Sequence, residues 1–340
     1  MNPRHTSGKK YISFSLTLVK NFPKTIMKAY VLYSGGLDSI LAIKLMQEQK
    51  IPVVAVHFTS PFFSKEEYCK AASKKEGFEL KVVDLGPKYI EMIRRPKHGY
   101  GSGMNPCPDC HNFMLRRLKD IAKDGFIVTG EVLNQRPFSQ SLSNFRETEK
   151  ELGLDGKILR PLSAKSLPET EMEKKGIVKR EKLFGITGRQ RKTQMALAEK
   201  YGIDYPTPGG GCMLAEKEFS NKLRDLLGHK KAVSKNELLL LNKGRHFRIS
   251  DSKIIVGRNK AENEEIENLK GKSDWTLKVE GIGPITILSG PKTEDAIELS
   301  AKLTLFYSDE KDSPVVYGEK FERKISVERP KREDIEIFRI

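Results

Sequence analysis

The chain is poor in cysteine for its length: Cys69, Cys107, Cys110 and Cys212 are the only four among 340 residues. That is too few for a disulfide scaffold in a chain of this size. No apolar run reaches the roughly 18 residues of a membrane span, so no membrane partner is expected. Acidic residues are in deficit, with 45 Asp and Glu against 61 Lys and Arg, for a net charge of +16. A thermophile-type composition would raise Glu and Lys together. A one-sided excess points to a polyanionic partner, nucleic acid first. Two phosphate and cofactor loops are also missing: no G-x-x-x-x-G-K-[ST] string and no glycine-rich S-adenosylmethionine loop occur.

What is present is one informative string, Tyr33-Ser34-Gly35-Gly36-Leu37-Asp38-Ser39. It follows an apolar run at 29–32 that reads as a buried strand, and precedes a helix expected over 40–49. A strand, a glycine turn with hydroxyls and a helix N-terminus aim backbone N–H groups at one point, which suits phosphate. Asp38 is odd there unless Mg²⁺ stands between its carboxylate and the phosphate.

Apolar runs at 51–57, 80–85 and 126–129 read as further strands, with a helix at 64–76, which argues for parallel β/α units. In such sheets ligands sit beyond the carboxyl ends of the strands, where the glycine string falls. His57 ends the second run and is expected to bind nothing, and Cys69 reads as a small buried apolar residue. Residues 94–105 are basic and glycine-rich and read as a flexible loop. They lead into Asn105-Pro106-Cys107-Pro108-Asp109-Cys110-His111, a C-x-x-C pair at the start of a helix. Such a pair shares a metal or forms a redox couple. Arg160-Pro161-Leu162 belongs to a short strand-like piece. Arg189, Arg191 and Lys192 crowd the start of a helix at 193–201, where cations oppose the helix dipole and make sense if they meet phosphates. Three glycines then precede Cys212 and leave its thiol on an unencumbered backbone.

From residue 247 the texture changes to short strands at 247–249, 253–256, 275–279, 285–288, 315–318 and 324–327, with a helix at 296–306. This reads as a separate α+β domain. Met27 stands where a natural start would fall, so 1–26 are expected to lie outside the fold. Lys9 and Lys10 before 11–19 faintly suggest a signal peptide. Ser13, Ser15 and Thr17 break that run and no clean cleavage site follows, so a cytoplasmic protein is expected.

The glycine string resembles the PP-loop of the ATP pyrophosphatases. That resemblance implies ATP held by Ser34, Gly35, Gly36, Asp38 and Ser39, with Mg²⁺ and an adenylated intermediate. With the N-P-C-x-x-C helix, R-P-L and the glycine-rich cysteine turn, residues 27–228 resemble the tRNA 2-thiouridylases. The implied fold is a parallel-sheet, Rossmann-like domain of the adenine nucleotide alpha hydrolase type, followed by a smaller α+β domain. The family likeness gives Cys110 and Cys212 to sulfur transfer, with Asp38 as the third catalytic residue. A cysteine at 107 is the form found in cluster-dependent relatives, so Cys107, Cys110 and Cys212 are expected to hold a [4Fe–4S] cluster. The competing chemistry is a persulfide later resolved as a disulfide. Lys253 to Asn259, then Glu262-Asn263, then Asp274 to Leu277 resemble the RNA-binding domain of the NFACT proteins, which makes Arg258 and Asn259 candidate RNA contacts beside Arg189, Arg191 and Lys192.

The expected organisation is an extension (1–26), a PP-loop domain (27–160), a central thiolase-like region (161–244) and an NFACT-like domain with a basic tail (245–340). The expected function is ATP-dependent tRNA thiolation, with tRNA and a sulfur donor (sulfide or a persulfide carrier) as partners and a homodimer left open. The rivals are a PP-loop amidating ligase and a non-catalytic RNA-binding protein associated with ribosomes.

Overall fold

The computed structural model describes residues 27–136, 139–206 and 212–340. The expected extension at 1–26 and the glycines before Cys212 lie outside the described residues.

The first half runs β1 (Lys28–Leu32), α1 (Leu37–Glu48), β2 (Val53–Thr59), α2 (Glu66–Glu76), β3 (Glu79–Asp84), α3 (Pro87–Arg94), α4 (Cys107–Ile121), β4 (Gly125–Thr129), α5 (Leu142–Leu152) and β5 (Ile158–Leu159). These strands form a wholly parallel sheet in the order β3-β2-β1-β4-β5. Both faces are buried, as parallel sheets require. Alternation in β1 shows it: Ala29 and Val31 enter one core, Tyr30 the other. Four further helices follow: α6 (Glu171–Lys174), α7 (Lys192–Tyr201), α8 (Lys217–His229) and α9 (Lys235–Leu240). Helices α1, α2 and α7 cover one face, and α3, α4 and α8 the other. Residues 161–244 therefore add no sheet of their own among the described residues and share both cores of the first sheet.

Local chemistry sets the helix ends. In α2, Glu66 and Glu67 open the helix and Lys74 and Lys75 close it, matching the dipole, and Gly77 ends it in the left-handed region. Ser234 and Glu237 form a capping box on α9.

The last third runs β6 (Arg245–Ile249), β7 (Ser252–Val256), α10 (Lys260–Leu269), β8 (Trp275–Val279), β9 (Thr286–Ser289), α11 (Glu294–Phe306), β10 (Val315–Gly318), β11 (Arg323–Ile325) and α12 (Arg332–Glu336). The strands form an antiparallel sheet in the order β11-β10-β8-β9-β7-β6. Helix α11 packs Ala296, Leu299 and Leu303 onto Phe247, Ile254, Leu277 and Leu288. Ile266 of α10 joins Ile255, Ile287 and Leu240 in a smaller core. An ionic clasp ties α8 to this sheet: Arg248 donates to both carboxylate oxygens of Asp225, at 2.5 and 2.7 Å, and Lys253 donates at 3.2 Å. Burial, only partly offset by Asp225, lowers the Lys253 ammonium to a pKa of about 8.

Candidate active site

Between β1 and α1 the chain turns through Tyr33 to Gly36. Gly35 has φ of +72°, where a side chain strains the backbone. A β-carbon there would also stand 3.0 Å from the sulfur of Cys69, which is fully buried. Ser39 Oγ donates to the Gly36 carbonyl at 2.8 Å and lies 3.3 Å from Ser34 Oγ, which also accepts from the Gly36 N–H at 3.3 Å. The turn is thus drawn together by its own hydroxyls.

Helix α1 begins at Leu37, earlier than the expected residue 40, because Gly36 serves as its N-cap. Asp38 and Ser39 therefore belong to the first helical turn. A carboxylate is favoured there by the helix dipole, which removes part of the oddity of Asp38. Its Oδ2 accepts from Gln135 Nε2 at 2.8 Å and lies 3.7 Å from Arg191 Nη2. Gln135 is held in turn by Gln194 of α7 at 3.0 Å. Asp38 Oδ1 is buried with no partner. A buried, unpartnered carboxylate oxygen beside a phosphate cradle has the chemistry of a Mg²⁺ ligand. The residues present fit ATP and its divalent ion.

His57 is buried in β2. Its Nδ1 lies 2.9 Å from the Tyr33 carbonyl, and its Nε2 accepts from the Lys65 N–H at 3.3 Å. The ring is therefore neutral with its proton on Nδ1, and burial lowers its pKa.

Strand β4 ends beside β1, and Gly130 follows it. A β-carbon on Gly130 would stand 2.6 Å from the Asp38 carbonyl oxygen and the Ser39 nitrogen, so only glycine lets this edge touch the start of α1. Glu131 comes next and is buried. It accepts from Thr129 Oγ1 at 2.9 Å and Arg160 Nε at 3.0 Å. His111 Nε2 lies 3.0 Å from its other oxygen, though off line for a hydrogen bond. Arg160 also pairs with Glu149 and stacks on the Phe145 ring at 3.9 Å. Burial alone would raise the Glu131 carboxyl, but His111 and Arg160 outweigh it and hold the pKa at about 2. His111 is the chain neighbour of Cys110. Gly130 and Glu131 therefore connect the phosphate loop to the start of α4.

Cys107 opens α4, is exposed, and accepts from Asn105 Nδ2 at 3.3 Å. Cys110 is only partly exposed and has its sulfur 3.0 Å from the Tyr89 hydroxyl of α3. Burial pushes the Cys110 thiol up to about 12 against that hydrogen bond, and negative charge on Cys212 and Cys107 pushes the same way. The Cys212 thiol is likewise raised, by burial first and also by charge on Cys107. Cys212 therefore lies near the Cys107–Cys110 pair although it is about a hundred residues away in the chain. The loop before α4 explains how they meet. Met104 N–H donates to the Leu214 carbonyl at 2.7 Å, and Ser220 Oγ donates to the same carbonyl at 2.8 Å. The backbones of Met104 and Leu214 are thus joined directly, which holds Cys107 near Cys212.

That loop is not the flexible segment expected from its glycines. Arg94 Nη2 donates to the Lys230 and Lys231 carbonyls, both at 2.9 Å. The N–H groups of Lys97 and His98 donate to the Asp109 carboxylate at 3.1 and 3.0 Å. Among the described residues, however, no group of three or more His, Cys, Asp or Glu side chains is placed to hold a metal ion. The expected [4Fe–4S] site is not shown by the thiols as they lie: Cys110 is turned onto Tyr89 while Cys107 faces solvent.

Residues 25–186 match the family model described as thiamine biosynthesis protein (ThiI), and residues 244–339 match that described as NFACT protein RNA binding domain. The chain thus joins a PP-loop region similar to the ThiI family to a region similar to the NFACT RNA-binding domain. An uncharacterized protein of Methanocaldococcus jannaschii is 27% identical over 113 residues, 32% of this chain. The chain spans only 39% of the length of that relative. A solved structure from the same organism, described as a predicted subunit of tRNA methyltransferase, superposes with a TM-score of 0.37 at 19% identity, covering 62% of this chain and 92% of that one. NMN synthetase from Francisella tularensis superposes with a TM-score of 0.27 at 12% identity, covering 64% and 84%. At these scores neither structure speaks to activity.

The expected RNA contacts fall in three kinds of place. Arg191, expected at RNA, leans toward Asp38 in the PP-loop domain, while Arg189 and Lys192 are exposed at the start of α7. In the NFACT-type domain, Asn259 caps α10 by accepting from the Glu262 N–H at 3.0 Å. Arg258 is half-exposed and forks onto the Glu262 carboxylate, with Nε at 3.0 and 2.9 Å and Nη2 at 2.5 Å. Both therefore have structural work to do. Sequence reasoning passed over Gln135, Gln194, Tyr89 and the Glu131–Arg160 pair. Two of these carried a signal: Glu131 follows the strand that neighbours β1 at the point where strand order reverses, and Arg160 opens the R-P-L string.

Proposed function

We propose that this protein is an ATP-dependent tRNA sulfurtransferase acting in the cytoplasm. The observation that supports this reading is the chain of contacts from Asp38 through Gly130, Glu131 and His111 to the neighbouring Cys110, which links the glycine turn to the start of α4. An amidating ligase would have no use for thiols gathered there.

Ser34, Gly35, Gly36 and Ser39 would hold the ATP phosphates, and Asp38 Oδ1 would hold Mg²⁺, whose chemistry there would be neutralisation of phosphate charge. Arg191 stands beside Asp38 as a second phosphate contact. A nucleobase carbonyl oxygen attacks the α-phosphorus, forming the adenylate and releasing pyrophosphate. Activation is needed because an oxide is a poor leaving group and AMP a good one. A donor that already carries a persulfide gives its outer sulfane sulfur to the thiolate of Cys110 or Cys212, the S–S bond of the donor breaking as its own thiolate leaves. The terminal sulfur of the resulting cysteine persulfide attacks the activated carbon and expels AMP. The other cysteine thiolate then attacks the carrier cysteine's sulfur, forming a Cys110–Cys212 disulfide and freeing the thiocarbonyl. A dithiol reductant restores both thiols. Arg189, Lys192 and the NFACT-type domain hold the tRNA, whose target base must leave its stack to reach the crevice.

Mass spectrometry of tRNA nucleosides from a strain lacking this chain tests the reading. One thionucleoside should vanish and return with the wild-type gene, but not with Cys110→Ala or Cys212→Ala. An unchanged set of thionucleosides would remove the proposal.

A further inference from the structure

The NFACT-type domain carries an aromatic and cationic cluster that the reaction above does not use. Trp275 is the sole tryptophan of the chain and sits half-buried at the start of β8. Its ring centre lies 5.9 Å from that of Tyr317 on β10. The Arg323 guanidinium lies 4.6 Å from the centre of the Trp275 ring, and Lys292 Nζ lies 6.0 Å from it. Register explains the grouping. Tyr317 pairs with both Leu277 and Arg323, so Trp275, Tyr317 and Arg323 stand on one face of the sheet. Arg323 is exposed and has no ion-pair partner among the described residues. Beside Tyr317 a cavity of 490 Å³ opens between α11 and the β10–β11 edge, lined by Ile297 and Ile325 and rimmed by Glu294 and Glu298.

The guanidinium resting on the half-exposed indole sets a π surface next to a cation that makes no ion pair among the described residues, although Glu322 is its chain neighbour. Unpaired nucleotides are held this way: the base stacks on the aromatic or guanidinium plane and the phosphate meets the cation. An acidic protein segment fits less well, because it has no flat group to stack and would meet Glu294 and Glu298. The same glutamates repel phosphate, so an RNA backbone must run on the Arg323 and Lys292 side with its base toward Tyr317.

We propose that Trp275, Tyr317 and Arg323 form a stacking site for one unpaired nucleotide of bound RNA. This rests on the reading that the chain binds RNA. It moves the main contact of the domain away from Arg258 and Asn259, which are tied to Glu262.

The single tryptophan makes the test direct. The full chain is titrated with tRNA and with a single-stranded RNA oligonucleotide, following Trp275 fluorescence and electrophoretic mobility together. Quenching should saturate with the mobility shift. Arg323→Gln and Tyr317→Ala should each weaken binding about tenfold with an unchanged circular dichroism spectrum. RNA binding with no change in fluorescence, and with both variants at wild-type affinity, overturns the stacking site while the RNA-binding reading stands. No shift with either RNA removes both. Quenching by poly-glutamate equal to that by RNA at matched charge also overturns the proposal, in favour of an acidic protein partner.

Discussion

The two sheets of this molecule present their chemistry in opposite ways. The parallel sheet is buried on both faces, so it can offer a ligand only the ends of its strands. Its site is accordingly assembled from turns: Ser34 to Ser39 after β1, Gly130 and Glu131 after β4, and the thiols at the start of α4 and before α8. The antiparallel sheet keeps part of a face open beside α11, and its strands present Trp275, Tyr317 and Arg323 side by side. A site made of strand ends depends on tight positioning of a few atoms. A site made of a sheet face depends on area and charge. Substitutions in the first should therefore abolish chemistry and leave binding, while those in the second should weaken binding by degrees.

Asp38→Ala should give the largest effect, lowering pyrophosphate release on the order of 100-fold or more, with RNA affinity unchanged in a mobility-shift assay. A matched loss of RNA binding would break the division of labour between the sheets. Next comes the buried ion pair behind the strand ends. Arg160→Met strands the buried Glu131 and should cost about 3–5 kcal/mol of stability in urea unfolding. A loss below about 1 kcal/mol would mean that Glu131 finds water or another partner.

The pH profile of stability separates the same two regions. Glu131 has a folded pKa of about 2 against 4.5 in the unfolded chain. The unfolded chain thus takes up its proton first, and stability present above pH 4.5 is lost as pH falls toward 2. Lys253, at the clasp onto the second sheet, has a folded pKa of about 8 against 10.5. There the folded chain sheds its proton first, so this group's contribution grows as pH rises from 8 to 10.5. Lys253→Met should flatten the alkaline rise and leave the acid limb intact. The smallest effect is expected from Arg258→Ala, which removes a half-exposed fork onto Glu262 worth about 0.3–0.5 kcal/mol, and RNA affinity should fall less than twofold.

Much of the parallel sheet was legible because its strands are short apolar runs bounded by turn residues, and because the glycine string announces one specific turn. The elements that escaped notice are those whose burial is thin. Helix α10 buries only Ile266, and α5 only Phe145 and Leu152, so neither shows a strong apolar stripe. In α3, Tyr89, Ile90 and Ile93 carry the buried face within eight residues, too short a span for a helical period to stand out. At the site, residue identity showed which side chains could do chemistry but not their neighbours. Arg191 looked like part of a basic patch for RNA, and only folding brings it toward Asp38 across more than 150 residues. The glycines at 99, 101 and 103 looked like freedom, yet Gly103 is there because Leu214 leaves no room for a side chain: a β-carbon would stand 2.5 Å from its carbonyl oxygen.

The packing of Cys69 against Gly35 has a practical consequence for thiol chemistry in this protein. Its sulfur is fully buried and burial pushes its pKa up to about 12, so at neutral pH it is a poor nucleophile and out of reach of reagents. Maleimide added to the native chain should mark the exposed Cys107 and Cys212 and spare the thiol beneath the phosphate loop. Loss of thiolation with pyrophosphate release preserved would then isolate the sulfur half of the reaction with no substitution in the chain. If labelling also halts pyrophosphate release, the thiols are coupled to the nucleotide pocket more tightly than the contacts through Glu131 and His111 require.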